Sequence, residues 1–99
     1  MTFIKQSKIT IKGFLIICEI LKQNKYITKI NFSANEVRKE GCIGLIELLE
    51  VNSILENINL AFCRIWVKGC IILANALKYN NYLRKLNLKG NFIDNEGGI

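Results

Sequence analysis

The sequence predicts an α/β stack of repeated strand–turn–helix units, and three observations in its 99 residues carry that prediction. Glycine recurs at one fixed interval, at Gly13, Gly41, Gly69 and Gly97. Asparagine keeps the same interval in two columns, Asn24, Asn52, Asn80 and Asn31, Asn59, Asn87. Apolar residues do so as well, in Ile9, Val37, Ile65, Ile93 and in Ile27, Leu55, Leu83. Columns that share one period mean that one supersecondary unit is copied along the chain. A unit of this size cannot bury its apolar face alone, so the copies must stack.

The first element of each copy is an extended strand. Within residues 26–53, Ile30 and Phe32 are two apart and point to one side, whereas Lys29, Asn31 and Ser33 point to the other. Residues 54–81 repeat the pattern with Ile58 and Leu60, and residues 82–99 with Leu86 and Leu88. Counting back one period from Ile30 and Phe32 reaches Thr2 and Ile4, so a ragged first strand is expected within residues 1–5.

After each glycine the apolar spacing changes from two to three and four. It gives Ile17, Cys18, Ile20, Leu21, then Leu45, Ile46, Leu48, Leu49, then Leu73, Ala74, Ala76, Leu77. That spacing makes one apolar face of a helix of about ten residues, opened by the glycine. Each helix is expected to stop near Asn24, Asn52 or Asn80, because asparagine tolerates the left-handed conformation of a helix end.

These residues resemble the leucine-rich-repeat family, whose signature is LxxLxLxx[N/C]xL. KLNLKGNFIDNEG (85–97) is the cleanest match, and NLAFCRIWVKG (59–69) carries the cysteine variant at Cys63. The repeat length and the glycine at the helix start are similar to the ribonuclease-inhibitor-like subclass, as in NOD-like receptors and the Ran GTPase-activating protein. The resemblance implies one domain over residues 1–99, divided into units 1–25, 26–53, 54–81 and 82–99 with the first and last incomplete. That is a solenoid segment of about three and a half repeats. It also implies that Asn35 and Asn91 bond buried turn carbonyls of neighbouring units. Strands about 4.8 Å apart backed by helices about 8–10 Å apart would curve the stack into a horseshoe segment, with strands on the concave face and helices on the convex face.

Composition limits what the chain can do. It is 51% apolar and 22% charged, without proline or histidine, and its formal charge is +6. Five lysines and one glutamate fall in residues 1–25, but isoleucine, asparagine and lysine are abundant along the whole chain, so compositional bias accounts for the basicity. The apolar run at residues 14–21 is too short to span a membrane. Cys18, Cys42, Cys63 and Cys70 form no CxxC pair, which argues against a metal site. Cys42 and Cys70 share a column and so sit on adjacent helices, farther apart than the ~7 Å a disulfide allows. Reduced thiols in an intracellular, cytoplasmic setting are expected. No acid–base pair, nucleophile or phosphate loop appears, so neither an enzyme nor a cofactor is expected.

Binding residues are therefore sought on the concave face. Its expected lining is Lys29, Asn31 and Ser33, then Asn57, Asn59 and Ala61, then Lys85, Asn87 and Lys89, with Phe62 at the rim. The lysines are stronger candidates than the asparagines, because no fold requirement places a lysine there. Phe62 and Trp66 are each either a partner anchor or packing, and for Trp66 packing over the neighbouring turn is the favoured expectation. The expected function is a non-enzymatic protein-interaction module with an unnamed protein partner, as a fragment of a larger protein. The alternative is a regulator of a small GTPase. Nucleic-acid binding is disfavoured by the scarcity of aromatics among the basic strand residues. Self-association through uncapped ends is the remaining expectation about partners.

Overall fold

The computed structural model describes residues 2–3, 8–80 and 82–91. In chain order it has β1 (Thr2–Phe3), α1 (Ile11–Leu21), β2 (Lys29–Asn31), α2 (Arg38–Val51), β3 (Asn57–Asn59), α3 (Trp66–Leu77) and β4 (Lys85–Asn87). The strands form one parallel sheet in sequence order, β1-β2-β3-β4. Lys29 pairs with Asn57 and Asn57 with Lys85, each step one repeat long. Thr2 pairs with Ile30, as the count back from Ile30 requires. Each helix is the crossover that parallel neighbours need, and α1 packs on α2 and α2 on α3. The fold is α/β.

The core lies between sheet and helices. Ile30, Phe32, Ile58 and Leu60 are fully buried from the strand side, as are Leu45, Leu48 and Leu73 from the helix side. The rings of Phe14 and Phe32 meet edge to face at 4.9 Å and 72°. Each such buried side chain contributes about 1.5–3 kcal/mol. Leu86 and Leu88 are only half-buried, because β4 has a neighbouring strand on one side only among the described residues.

The structure corrects three expectations. First, the helices start two or three residues before the glycines and run for 11, 14 and 12 residues. The glycines are there for space, since none of Gly13, Gly41 and Gly69 has a left-handed φ. A Cβ at Gly41 would lie 2.6 Å from Val37 Cγ1 and 3.1 Å from Phe14 Cδ2, and one at Gly69 would overlap Ile65. At Gly41 and Gly69 the glycine thus makes room for the β-branched core residue four positions before it, one helical turn below.

Second, the asparagines at the helix ends are not left-handed. Asn52 caps α2 in an extended conformation, φ −99° and ψ 116°, and neither Asn24 nor Asn80 has a positive φ. Third, Ile20 is 64% exposed, although its column mate Leu48 is fully buried. α2 packs against a helix on each side, whereas α1 has one helical neighbour among the described elements. The expected positions Ile4, Ile93 and Gly97 lie outside the described residues.

Candidate protein-binding surface

Three asparagine columns decide which parts of the surface belong to the fold. Asn24, Asn52 and Asn80 each accept two backbone N–H bonds from the residues two and three positions on, at 2.7–3.0 Å. The Asn52 Nδ2 also donates to the Leu21 carbonyl at 2.8 Å, and Asn80 Nδ2 to that of Leu49 at 3.4 Å. This column joins the helix end of one unit to the turn of the next, a role expected from the sequence only for Asn35 and Asn91.

The second ladder stands at the opposite end of the strands, where it was expected. Asn91 is fully buried. Its Oδ1 accepts from the N–H groups of Cys63 and Ile65 at 2.9 and 3.1 Å, and its Nδ2 donates to the Leu60 carbonyl at 2.6 Å. Asn35 accepts from the Ile9 N–H at 3.0 Å and donates to the Phe32 carbonyl at 2.9 Å. Between them Cys63 donates its thiol to the Phe32 carbonyl at 3.3 Å. A thiol is a weaker partner than an amide. Here the Cys63 carbonyl takes the N–H groups of Val37 and Arg38, both at 3.1 Å.

The third column, Asn31, Asn59 and Asn87, lies on the open face of the sheet. Each Oδ1 accepts the N–H two residues on, from Ser33, Ala61 and Lys89, all at 2.9 Å. These are Asx turns that end the strands, so the column has a local structural task in every copy. Asn31 is buried at 8% exposure. Asn59 is half-buried and Asn87 exposed, as are Ser33 and Asn57 half-buried and Lys29, Lys85 and Lys89 exposed. The sheet register brings these residues into two rows, Lys29, Asn57, Lys85 and Asn31, Asn59, Asn87. Lys89 follows beyond the second row.

Phe62 stands where the strand turns toward the helix. It is 57% exposed and has a left-handed φ of 56°. Its column mates Ala34 and Gly90 have φ 61° and 78°. Only glycine takes this conformation without cost, and a non-glycine residue there gives up about 1–2 kcal/mol. The ring lies over Gly90, where a Cβ would overlap it. Gly90 was the signal in the sequence that could have exposed this, since it stands at the turn after the strand, where a left-handed residue is common.

Beside Phe62 is a cavity of about 390 Å³ lined by Lys8, Ile9, Thr10, Ala34, Asn35, Glu36, Phe62 and Arg64. Lys8, Glu36 and Arg64 form one column. Glu36 is held by Arg38, Nη2 at 2.8 Å and Nε at 3.0 Å, whereas Arg64 reaches it at 3.8 Å. Arg38 also lies over the Trp66 ring at 5.4 Å, and Trp66 is half-buried. The larger cavity, about 460 Å³, lies between the ends of α2 and α3 beside Tyr79 and Tyr82.

The four cysteines are unpaired and buried. Burial pushes the Cys18 and Cys42 thiols up to about 12 and raises those of Cys63 and Cys70. Such thiols are poor nucleophiles and metal ligands. Among the described residues no group of three or more histidine, cysteine, aspartate or glutamate side chains could hold a metal ion. No described helix is long and apolar enough to cross a membrane.

Parallel strands, a helix crossover from each strand to the next and asparagine ladders at both strand ends define a repeat protein of the α/β class. A family model described as Leucine Rich repeat matches residues 79–99, the segment that contains β4 and Asn91. The match supports a leucine-rich repeat in this chain. A search of curated proteins finds no match.

Proposed function

We propose that the chain is a non-enzymatic protein-interaction module of the ribonuclease-inhibitor-like kind, one solenoid segment that curves with its strands on the concave side. Lys29, Asn57, Lys85 and Lys89, together with Phe62, form its contact surface. The observation that carries this reading is the open face of the sheet. Its inward neighbours Ile30 and Ile58 are buried, yet the outward row bears lysines that make no contribution to the core. Repeat stacks present such extended surfaces to partners. The face carries positive charge, which speeds association with an acidic partner and weakens as salt rises.

A peptide library displayed on phage and selected against the full chain tests this. Enriched peptides are expected to lose binding at least tenfold to the Lys85→Glu, Lys89→Glu variant. Peptides indifferent to that change, or no enrichment, would contradict the reading. The alternative of a small-GTPase regulator rests on the resemblance alone. A GTP-hydrolysis assay with Ran separates it, since acceleration lost on mutating Lys29 or Lys85 would replace the passive module with a catalytic activator.

A further inference from the structure

We infer that the cavity beside Phe62 is a peptide subsite that takes an acidic segment carrying one large apolar side chain. The inference rests on the protein-binding reading and deepens it by naming the chemistry of the partner.

Three observations converge on this edge of the molecule. The first is Phe62 itself. Its column is left-handed in every described copy, and Gly90 shows the residue that fits there without strain. Phe62 keeps the conformation and leaves 57% of itself in solvent, so burial recovers little of the cost. Lys8, Ala34 and Arg64 share this left-handed backbone, so the conformation belongs to the turn, and what sets Phe62 apart is the large apolar ring it holds in solvent. The ring is also braced, because it rests on Gly90, which has no side chain to displace it. An aromatic already held in place loses little freedom on binding.

The second observation is shape. Ala34 occupies the same column one unit earlier, and the small side chain leaves the cavity of about 390 Å³ open beside the ring. Ile9, Ala34 and Phe62 supply its apolar walls. An aromatic or leucine side chain has the volume to enter it and stack on the Phe62 ring.

The third is charge. Lys8 and Arg64 flank the cavity, and its one carboxylate, Glu36, is engaged by Arg38 at 2.8 Å. The Arg64 side chain is 62% exposed and stands 3.8 Å from Glu36, farther than either Arg38 contact to that carboxylate. The exposed lysines Lys85 and Lys89 extend the positive surface onto the sheet. Carboxylates on either side of the apolar anchor would meet Lys8 and Arg64, as charge complementarity across an interface requires.

The test uses the full chain labelled with ¹⁵N and three acetylated, amidated pentapeptides. One has four glutamates around a central phenylalanine, one replaces the phenylalanine with alanine, and one replaces the glutamates with lysines. The first peptide is expected to shift the amide signals of Ala34, Phe62 and Arg64 saturably, and the other two to bind at least fivefold more weakly. Phe62→Asn and Arg64→Glu are each expected to weaken the first peptide tenfold, Phe62→Asn with a thermal midpoint within about 8 °C of the parent's. Equal binding of all three peptides overturns the inference. Shifts confined to Lys29, Lys85 and Lys89 overturn it while sparing the protein-binding reading. No saturable shift with any peptide removes both.

Discussion

Two adjacent columns of the repeat behave in opposite ways. Asn35, Cys63 and Asn91 are buried, and each copy hydrogen-bonds the turn that its neighbour leaves short of partners. Ala34, Phe62 and Gly90, one residue before, are exposed and differ in size from nothing to an aromatic ring. All three keep a left-handed backbone. Neighbouring units fix the backbone at both positions, but they fix the side chain only at the buried one. In a repeat protein, function is therefore to be sought where an exposed column departs from the residue its backbone prefers.

The interior should respond strongly to perturbation. The Cys18 and Cys42 thiols have folded-state values near 12 against an ordinary value of 9.0. A raised value means that the folded state holds the proton more tightly, so this contribution is complete below pH 9. It falls by about 1.4 kcal/mol per pH unit for each thiol as pH rises toward 12. Urea midpoints measured from pH 8 to 11 are expected to be flat and then drop. A Cys18→Ala, Cys42→Ala variant should show a shallower drop, with the remainder due to the Cys63 and Cys70 thiols, which burial also raises.

Asn91→Ala comes next. It strands the N–H groups of Cys63 and Ile65 and the carbonyl of Leu60, and each unsatisfied buried group costs about 1–3 kcal/mol. A loss of about 3–5 kcal/mol is expected by urea denaturation. A loss under about 1 kcal/mol would erase the distinction between the two columns.

The glycine column allows a finer comparison between copies. Gly69→Ala drives a methyl group into Ile65 and should cost about 1–3 kcal/mol. At Gly13 the nearest atom, Ile9 Cγ2, is 3.2 Å from the added carbon. The gain in helix propensity of about 1 kcal/mol offsets that contact, so Gly13→Ala should be close to neutral.

Most of the fold was legible because equivalence is what a period reports. The strand register, the inward parity of Ile30 and Ile58 and the β1 pairing of Thr2 with Ile30 all follow from counting one period along the chain. What a period does not report is the backbone conformation at equivalent positions. The helix stops at Asn52 and Asn80 proved to be side-chain bridges between units instead of left-handed turns, because the partner atoms lie a whole repeat away in sequence. The site was less legible for the same reason. Lys8, Ala34 and Arg64 come together beside Phe62 only once the units are stacked. The lysines on the open face of the sheet could be named from strand parity alone.

If the exposed column serves binding and the buried one serves folding, Phe62→Asn separates the two roles most directly, since asparagine accepts the left-handed backbone and removes the ring. Relief of strain and loss of the contact with Gly90 nearly cancel, so stability should stay within about 1 kcal/mol of the parent. Affinity for the glutamate–phenylalanine peptide should fall tenfold in the same preparation. A variant that unfolds at much lower urea yet binds as tightly as the parent would contradict that division of labour.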